Sequence, residues 1–309
     1  MSFLYFLEDL RCPVLDFLFS AITLFGEETI FMAVGMIFFW CVDKFHGYYL
    51  LCVGFFGTLI NQFLKITCRI PRPWVKDPDF TIVESAREGA SGYSFPSGHT
   101  QVSTGLYGGA ARIAKKKTRR ILLIVLASLI ALSRMYLGVH TPADVFVSVG
   151  IAATLIFIGY PIFQKGRTNP KLMYGVLALF LTVSICFLVY VTTFPFPEEI
   201  YAADTVHNLE SALKNAYTLL GCSLGFFVVY TVDLKWINFQ TEAVWWAQIL
   251  KVFGGLALVI LVKEGLKVPL DALFQGHLAA RSLRYFIMVV TAGSLWPLTF
   301  PYFAKLGKK

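Results

Sequence analysis

The chain alternates on a coarse scale between long apolar stretches and short polar connections. Stretches without any Asp, Glu, Lys or Arg cover 45–64, 145–164, 172–197, 215–232 and 285–304. About 20 consecutive apolar residues are long enough to cross the hydrocarbon core of a bilayer as a helix. The pattern therefore predicts an all-α, polytopic helical membrane protein.

We predict about ten helical segments, some of them short for a full span. They are 12–26, 28–42, 45–65, 98–113, 120–138, 142–163, 172–193, 214–232, 243–263 and 284–304. The first six would form a six-span core within 1–165. The other four would form an additional transmembrane bundle, 172–309, whose role the sequence leaves open. Residues 1–11 are a candidate for a helix that lies on the membrane surface.

Composition supports the same class of protein. Of the 309 residues, 57% are hydrophobic and 15% are charged, whereas soluble domains carry about 25% charged residues. The six cysteines are scattered, without the spacing of a metal site or a disulfide framework. The net charge of +8 is explained by membrane topology. The expected partners are therefore the lipid bilayer and a membrane lipid, and no nucleic acid.

One basic connection predicts the orientation in the membrane. It contains no acid and six basic residues: Arg112, Lys115, Lys116, Lys117, Arg119 and Arg120. The positive-inside rule places this loop in the cytoplasm. Counting ten spans outward puts both termini in the cytoplasm, with Lys308 and Lys309 inside and the acidic connection of Glu198, Glu199 and Asp204 outside. The polar ends of the third to sixth segments then share the outer side of the membrane.

The first polar stretch at that level is Pro96-Ser97-Gly98-His99. Ser97 is a typical N-cap residue, so a helix is expected to begin at Gly98. The unpaired N–H groups of a helix start bind anions, and a glycine lets a phosphate approach the backbone. The alternative is an ordinary capped helix with an exposed His99.

The second stretch runs from Lys65 to Pro73. Pro71 and Pro73 flank Arg72, and prolines restrict the backbone to extended conformations. A fixed arginine is suited to bidentate contact with phosphate, and Lys65 would add a point charge. The alternative is that these basic residues only anchor the end of a span at the interface.

The third stretch is Ser133 to Asp144. Thr141, followed by Pro142 and Asp144, has the pattern of a helix start. Asp144 could cap this helix, and it could also accept a hydrogen bond from His140, which would orient the imidazole as a nucleophile. The two roles are compatible. Arg134 could bind a phosphoryl group that is being transferred.

Together these residues resemble the type 2 phosphatidic acid phosphatase superfamily, which also contains vanadium haloperoxidases and glucose phosphatase. The family pattern is Lys-x6-Arg-Pro, then Pro-Ser-Gly-His, then Ser-Arg-x5-His-x3-Asp. It matches Lys65 with Arg72-Pro73, then Pro96 to His99, then Ser133-Arg134 with His140 and Asp144. Every motif position matches, within 45–165. Residues 172–309 lie outside this signature.

The resemblance implies a role for each matched residue. His140 would attack phosphorus and form a phosphohistidine, and His99 would protonate the leaving oxygen and then activate water. Asp144 would orient His140. No metal or other cofactor is implied. The residues expected to hold the phosphoryl oxygens are Lys65, Arg72, Ser97, Gly98 and Arg134.

The expected function is that of an integral-membrane, metal-independent lipid phosphatase. Its substrate would be a lipid phosphate or pyrophosphate, of the phosphatidic acid, phosphatidylglycerophosphate or undecaprenyl pyrophosphate type. The alternatives are a phosphotransferase that uses the same phosphohistidine, and a non-enzymatic transporter. We expect a bacterial inner membrane with the active site on the extracytoplasmic side. Gly26-Glu27-Glu28 and 40–43 are also similar to short stretches of sphingosine phosphate phosphatases. The sequence does not predict the oligomeric state.

Overall fold

A computed structural model describes residues 1–90, 92–195 and 203–306, with side chains described from residue 208 onward in the last range. All regular structure in these ranges is helical. The helices are α1 (Ser2–Asp9), α2 (Pro13–Leu24), α3 (Glu28–Ile37), α4 (Lys44–Cys68), α5 (Pro73–Lys76), α6 (Gly98–Ser103), α7 (Gly109–Ile113), α8 (Lys117–Tyr136), α9 (Pro142–Gly166), α10 (Pro170–Thr193), α11 (Ala203–Val232), α12 (Trp245–Gly265), α13 (Lys267–Leu273), α14 (Ala279–Val290) and α15 (Phe300–Lys305). The all-α fold is confirmed.

Helices long and apolar enough to cross a membrane occur throughout the described ranges. Six pass by length and composition: Lys44–Lys76, Pro142–Gly166, Pro170–Thr193, Asn208–Ile237, Trp245–Leu273 and Ala279–Lys305. The pair Pro13–Leu24 and Glu28–Val42, bent by 46°, adds a seventh if it counts as one span. The prediction of a polytopic membrane protein is confirmed, and all four segments predicted in 172–309 are among the six.

Two predicted core segments form helices that are too short or too charged to count as membrane spans by length and composition. The segment 98–113 consists of helical pieces of six, five and five residues, with a π-helical turn between α6 and α7. Helix α8 has 20 residues, but basic side chains stand at both of its ends. The described chain therefore contains up to seven candidate spans, fewer than the ten predicted segments. The acidic Glu198 and Glu199, the side chain of Asp204, and the terminal Lys308 and Lys309 lie outside what the structure describes.

The chain forms two compact units. The first comprises Met1–Met32, Tyr49–Ile162 and Pro195–Ala212. Within it, α8 packs against α1, α2, α6 and α7. All eight side chains predicted for the site belong to this unit.

The second unit comprises Ala33–Tyr48, Phe163–Phe194 and Leu213–Lys309. Trp40 Nε1 donates to the carbonyl of Ala292 at 2.9 Å, which ties the π-helical turn after α3 to the end of α14. Both units are discontinuous in sequence. The division into 1–165 and 172–309 stays a prediction.

The N-terminal helix α1 is fastened to the loop that follows α5. The hydroxyl of Tyr5 donates to Asp77 Oδ2 at 2.9 Å, and the backbone N–H of Thr81 donates to Glu8 Oε1 at 2.9 Å. Phe3 and Phe6 on the other face are exposed. This face is apolar, as the predicted surface helix requires.

Candidate active site

The N-terminus of α6 is built as the sequence predicts. Ser97 is the N-cap, and the N–H of Thr100 donates to its Oγ at 3.4 Å. Gly98 is the first helical residue, and the Ser97 side chain is completely buried. The predicted helix start is confirmed.

The N-terminus of α9 is held by a reciprocal pair of side-chain caps. The N–H of Asp144 donates to Thr141 Oγ1 at 3.3 Å, and the N–H of Thr141 donates to Asp144 Oδ2 at 2.7 Å. The same Oδ2 accepts from Ser94 Oγ at 2.5 Å and lies 3.4 Å from His140 Nδ1. One carboxylate oxygen therefore caps the helix, as predicted, and also lies near the imidazole. The hydrogen bond from His140 to this oxygen stays a prediction.

The turn that carries His140 needs a glycine. Gly138 has φ +83°, and a Cβ there would lie 2.7 Å from Arg11 Nη2. The N–H groups of Val139 and His140 both donate to the carbonyl of Arg134 at 3.2 Å. The turn therefore brings the end of α8 and the start of α9 together at His140.

Arg72 lies beside the His140 ring. Its backbone is extended, with φ −64° and ψ 154°, as the flanking prolines predict. Its Nη1 lies 2.9 Å from His140 Nε2 and 3.5 Å from Nδ1, so this contact is compatible with either tautomer. The carboxylate of Asp144 on the Nδ1 side favours the ring proton on Nδ1. This is the tautomer that leaves Nε2 with a lone pair.

Backbone carbonyls position the cations of the second stretch. Arg72 donates from Nε to Gly92 O at 3.0 Å and from Nη1 to Val139 O at 2.8 Å. Lys65 Nζ donates to the carbonyl of Tyr93. Both side chains are buried, whereas a side chain that only anchors a span end keeps its charge in water.

Arg134 reaches the site from the end of α8. Its Nη1 donates to Thr23 Oγ1 at 2.8 Å, while its buried Nε and Nη2 have no hydrogen-bond partner among the described residues. Buried polar groups are normally paired. Two unpartnered nitrogens on a buried cation are suited to bind an oxyanion.

His99 lies beside the bend between α2 and α3. A Cβ on Gly26 would be 3.6 Å from His99 Cβ and 2.7 Å from Ile130 Cγ2. The bend therefore packs closely on α6 and α8 because residue 26 has no side chain. His99 is partly exposed, and the acid and base roles implied for it stay predictions.

The electrostatic balance of the site favours an anion. Lys65, Arg72 and Arg134 are buried, and Asp144 is the only buried carboxylate among the described residues of the first unit. Burial lowers the pKa of His140 well below its usual range, and the cations of Arg72 and Lys65 act in the same direction. A neutral imidazole next to excess positive charge could attack an electrophile that carries negative charge.

Several contributors were not found in the sequence. Ser94 and Thr23 bond to Asp144 and Arg134, and the hydroxyl of Ser148 donates to the carbonyls of both Ser97 and Asp144. The only sequence signal was a polar residue near a motif or within an apolar helix. Within the ranges that the structure describes, no three His, Cys, Asp or Glu side chains are grouped as metal ligands.

Comparisons with known proteins agree with the motifs. The PAP2 superfamily model matches residues 45–168, and the model described as PAP2 superfamily phosphatase, transmembrane extension, matches 217–309. The second match covers most of the region that the motif signature had left unassigned. Together the two models cover more than half of the chain.

Two named proteins are similar to about half of this chain at low identity. The chain is 26% identical over 154 residues to human sphingosine-1-phosphate phosphatase 2, which is 47% of this chain and 37% of that protein. It is 29% identical over 164 residues to a probable sphingosine-1-phosphate phosphatase of Dictyostelium discoideum, which is 48% of this chain and 39% of that one. This chain thus aligns with less than half of either relative. No solved structure matches it significantly. With two matching family models and all three motifs gathered at one buried cationic site, the chain belongs to the PAP2 superfamily.

Proposed function

We propose that this protein is a membrane lipid phosphatase that works through a phosphohistidine at His140. The observation that carries the proposal is the position of this imidazole, with Nδ1 3.4 Å from Asp144 Oδ2 and Nε2 2.9 Å from Arg72 Nη1. Both relatives are named for a lipid monophosphate. That favours a monophosphate over undecaprenyl pyrophosphate, which the outward orientation predicted from the sequence had slightly favoured.

In the first step, the Nε2 lone pair of His140 attacks phosphorus, and the bond between phosphorus and the lipid oxygen breaks. His99 donates a proton to the departing oxygen. In the free protein, burial and the charge of Arg134 lower the pKa of His99 to about 3, and the negative charge of a bound phosphate opposes that shift. The His140 ring becomes positively charged as the P–N bond forms. The carboxylate of Asp144 stabilises that charge.

In the second step, water attacks the phosphohistidine, and His99, now neutral, accepts a proton from it. The P–N bond breaks and its electron pair returns to Nε2. Throughout both steps the phosphoryl oxygens are held by the cations and the α6 N-terminus. Phosphoryl transfer depends mainly on such positioning and charge stabilisation. The residues proposed for this role are Lys65, Arg72, Ser97, Gly98 and Arg134.

We also propose that the site faces the extracytoplasmic side. Helix α8 carries too many basic residues to qualify as a span by composition, but its 20 residues at 1.5 Å per residue are about 30 Å long, the thickness of the hydrocarbon core, and we take it to cross the membrane. The basic loop region 112–120 includes the first residues of α8, and His140 follows its other end. If the loop is cytoplasmic, the site lies on the other side, whatever the total number of spans.

Labelling of single cysteines tests this orientation. In a cysteine-free background, Glu88→Cys should react with an impermeant maleimide added to intact cells, and Lys116→Cys should react only after permeabilisation. The reverse pattern would place the site in the cytoplasm.

Phosphate release by the purified protein tests the activity, with EDTA present. We would offer sphingosine 1-phosphate, phosphatidic acid, phosphatidylglycerophosphate and undecaprenyl pyrophosphate. We expect release from at least one monophosphate by the wild type and none by His140→Ala. Equal release by the two proteins would refute the proposed nucleophile, and transfer of phosphate to an added alcohol or lipid would favour the phosphotransferase.

A further inference from the structure

Two buried amide side chains lie where α4 and α6 meet, outside the three motifs. They belong to Asn61 and Gln101, each only 1% exposed. In the part of the chain that the structure describes, neither amide has a hydrogen-bond partner at its nitrogen or its oxygen. Buried amides without partners destabilise a fold, so their presence calls for an explanation.

The two amides occupy successive levels of the same helix pair. Residues 57, 61 and 65 are spaced by four and therefore lie on one face of α4. Gln101 Nε2 is 2.6 Å from where a Cβ on Gly57 would stand, and Asn61 Oδ1 is 4.0 Å from where a Cβ on Gly98 would stand. Lys65, one turn further along, reaches the carbonyl of Tyr93.

Asn61 thus adjoins the space beside Gly98. Gln101 instead packs against the α4 backbone at Gly57, one turn before Asn61. Which atom of an amide is nitrogen and which is oxygen is assigned from its surroundings, so either can face that space. Lys65 on the same face already belongs to the proposed phosphate site. Asn61 is therefore the nearest additional donor on α4 to the first residue of α6.

We propose that Asn61 is a further substrate-binding residue, whose side-chain N–H₂ donates to a phosphoryl oxygen held beside Gly98. The inference rests on the proposed function, because it requires phosphate at this place. It explains why α4 keeps an unpartnered amide one turn before Lys65. It also predicts different roles for Asn61 and Gln101. Gln101 has the same functional group but faces Gly57, so it is not expected to bind phosphate.

Binding of inorganic phosphate to the full-length protein in detergent tests the inference without relying on turnover. The variants are Asn61→Leu, which removes the amide at similar volume, and Asn61→Asp, which keeps the shape but adds negative charge. Gln101→Leu is the matched control. For each protein we would measure the melting temperature with increasing phosphate and the inhibition constant of phosphate for lipid hydrolysis.

We expect Asn61→Leu to melt at or above the wild-type temperature without phosphate and to bind phosphate roughly 10-fold more weakly. Asn61→Asp should weaken phosphate binding further, because like charges repel. Gln101→Leu should stay within about twofold of wild type. If Asn61→Leu does not fold, the charge variant carries the test.

Unchanged phosphate affinity in a folded Asn61 variant would refute the inference and leave the phosphatase proposal standing. Equal weakening by Gln101→Leu would also refute it, because the effect would then come from packing between α4 and α6. A wild-type protein that neither binds phosphate nor releases it from any lipid would overturn both proposals.

Discussion

Two polar regions of this molecule differ in how their charges are balanced. In the second unit, Lys44 Nζ lies 2.8 Å from Oδ2 of the buried Asp233 and donates to Asn238 Oδ1 at 3.0 Å. This cation therefore has a carboxylate partner within the protein. Such a balanced cluster is a structural device.

Among the buried side chains of the first unit, positive charge exceeds negative charge. Lys65, Arg72 and Arg134 are buried with one carboxylate, Asp144, and within the described residues two nitrogens of Arg134 have no hydrogen-bond partner. Burying charge without compensation is costly. The difference between the regions teaches that several buried cations gathered around one carboxylate, rather than a single buried charge, indicate a ligand site.

The largest effect is expected at His140. Replacing it with alanine removes the proposed nucleophile and should reduce phosphate release on the order of 10⁴-fold or more. Release of phosphate from the preferred lipid measures this, with melting temperature as a check on folding. His277→Ala, on the exposed turn before α14, is the matched control and should retain wild-type activity. Comparable losses in both variants would mean that the effect is not specific to the site.

The next largest effect is expected at Arg134, one of the three buried cations described in the first unit. Arg134→Met should lower kcat/KM by about 10²- to 10³-fold, because a donor to the charged transition state is lost. Its melting temperature in the absence of phosphate should change little, since repulsion among the three cations is relieved. Arg284→Met in the second unit is the control, as the Nε of this buried arginine also has no hydrogen-bond partner in the described part of the chain. If Arg284→Met were equally inactive, the distinction between the two regions would fail.

Breaking the balanced cluster should lower stability and leave activity unchanged, the opposite of what is expected for Arg134. Asp233→Asn leaves Lys44 without its carboxylate and should lower the free energy of unfolding by about 3 kcal/mol. The folded fraction should keep its phosphatase activity. Denaturant titration measures the loss, and Glu264→Gln, which breaks an exposed pair with Lys263, should cost less than about 1 kcal/mol. A stable but inactive Asp233→Asn protein would argue against a purely structural role.

The smallest effect concerns pH. Because the pKa of His140 is lowered well below its usual range, the unfolded chain takes up a proton below about pH 6.5 while the folded protein does not. Stability therefore falls as pH decreases below that value, by at most about 1.4 kcal/mol per pH unit. Melting curves from pH 8 to 5 measure the slope. Parallel curves for wild type and His140→Ala would show that another group dominates.

Helix starts and long apolar helices were predictable because their signals are local. Ser97 and Thr141 cap the helices that their sequence patterns indicate, and the last four spans are where the apolar stretches place them. The number of spans was less predictable. Helix α8 forms although its ends are basic, because its C-terminal half packs against other helices of the first unit.

Contacts that depend on tertiary packing could not be predicted. The carbonyls of Gly92, Tyr93 and Val139 that hold the cations have no sequence signal, since every residue has a carbonyl. Thr23 and Asn61 are single polar residues in apolar helices. Only the folded arrangement distinguishes them from other such residues.

The shared oxygen of Asp144 has a consequence for genetic studies of this protein. Oδ2 of Asp144 accepts from the Thr141 N–H and the Ser94 hydroxyl and lies close to His140 Nδ1. A substitution of Asp144 therefore impairs the start of α9 and the reaction at once. Variants at this position would lose abundance together with activity. A mutational survey scored only by total activity in cells would not separate the loss of folded protein from the loss of reaction. Abundance and specific activity per folded molecule, measured together, separate the two.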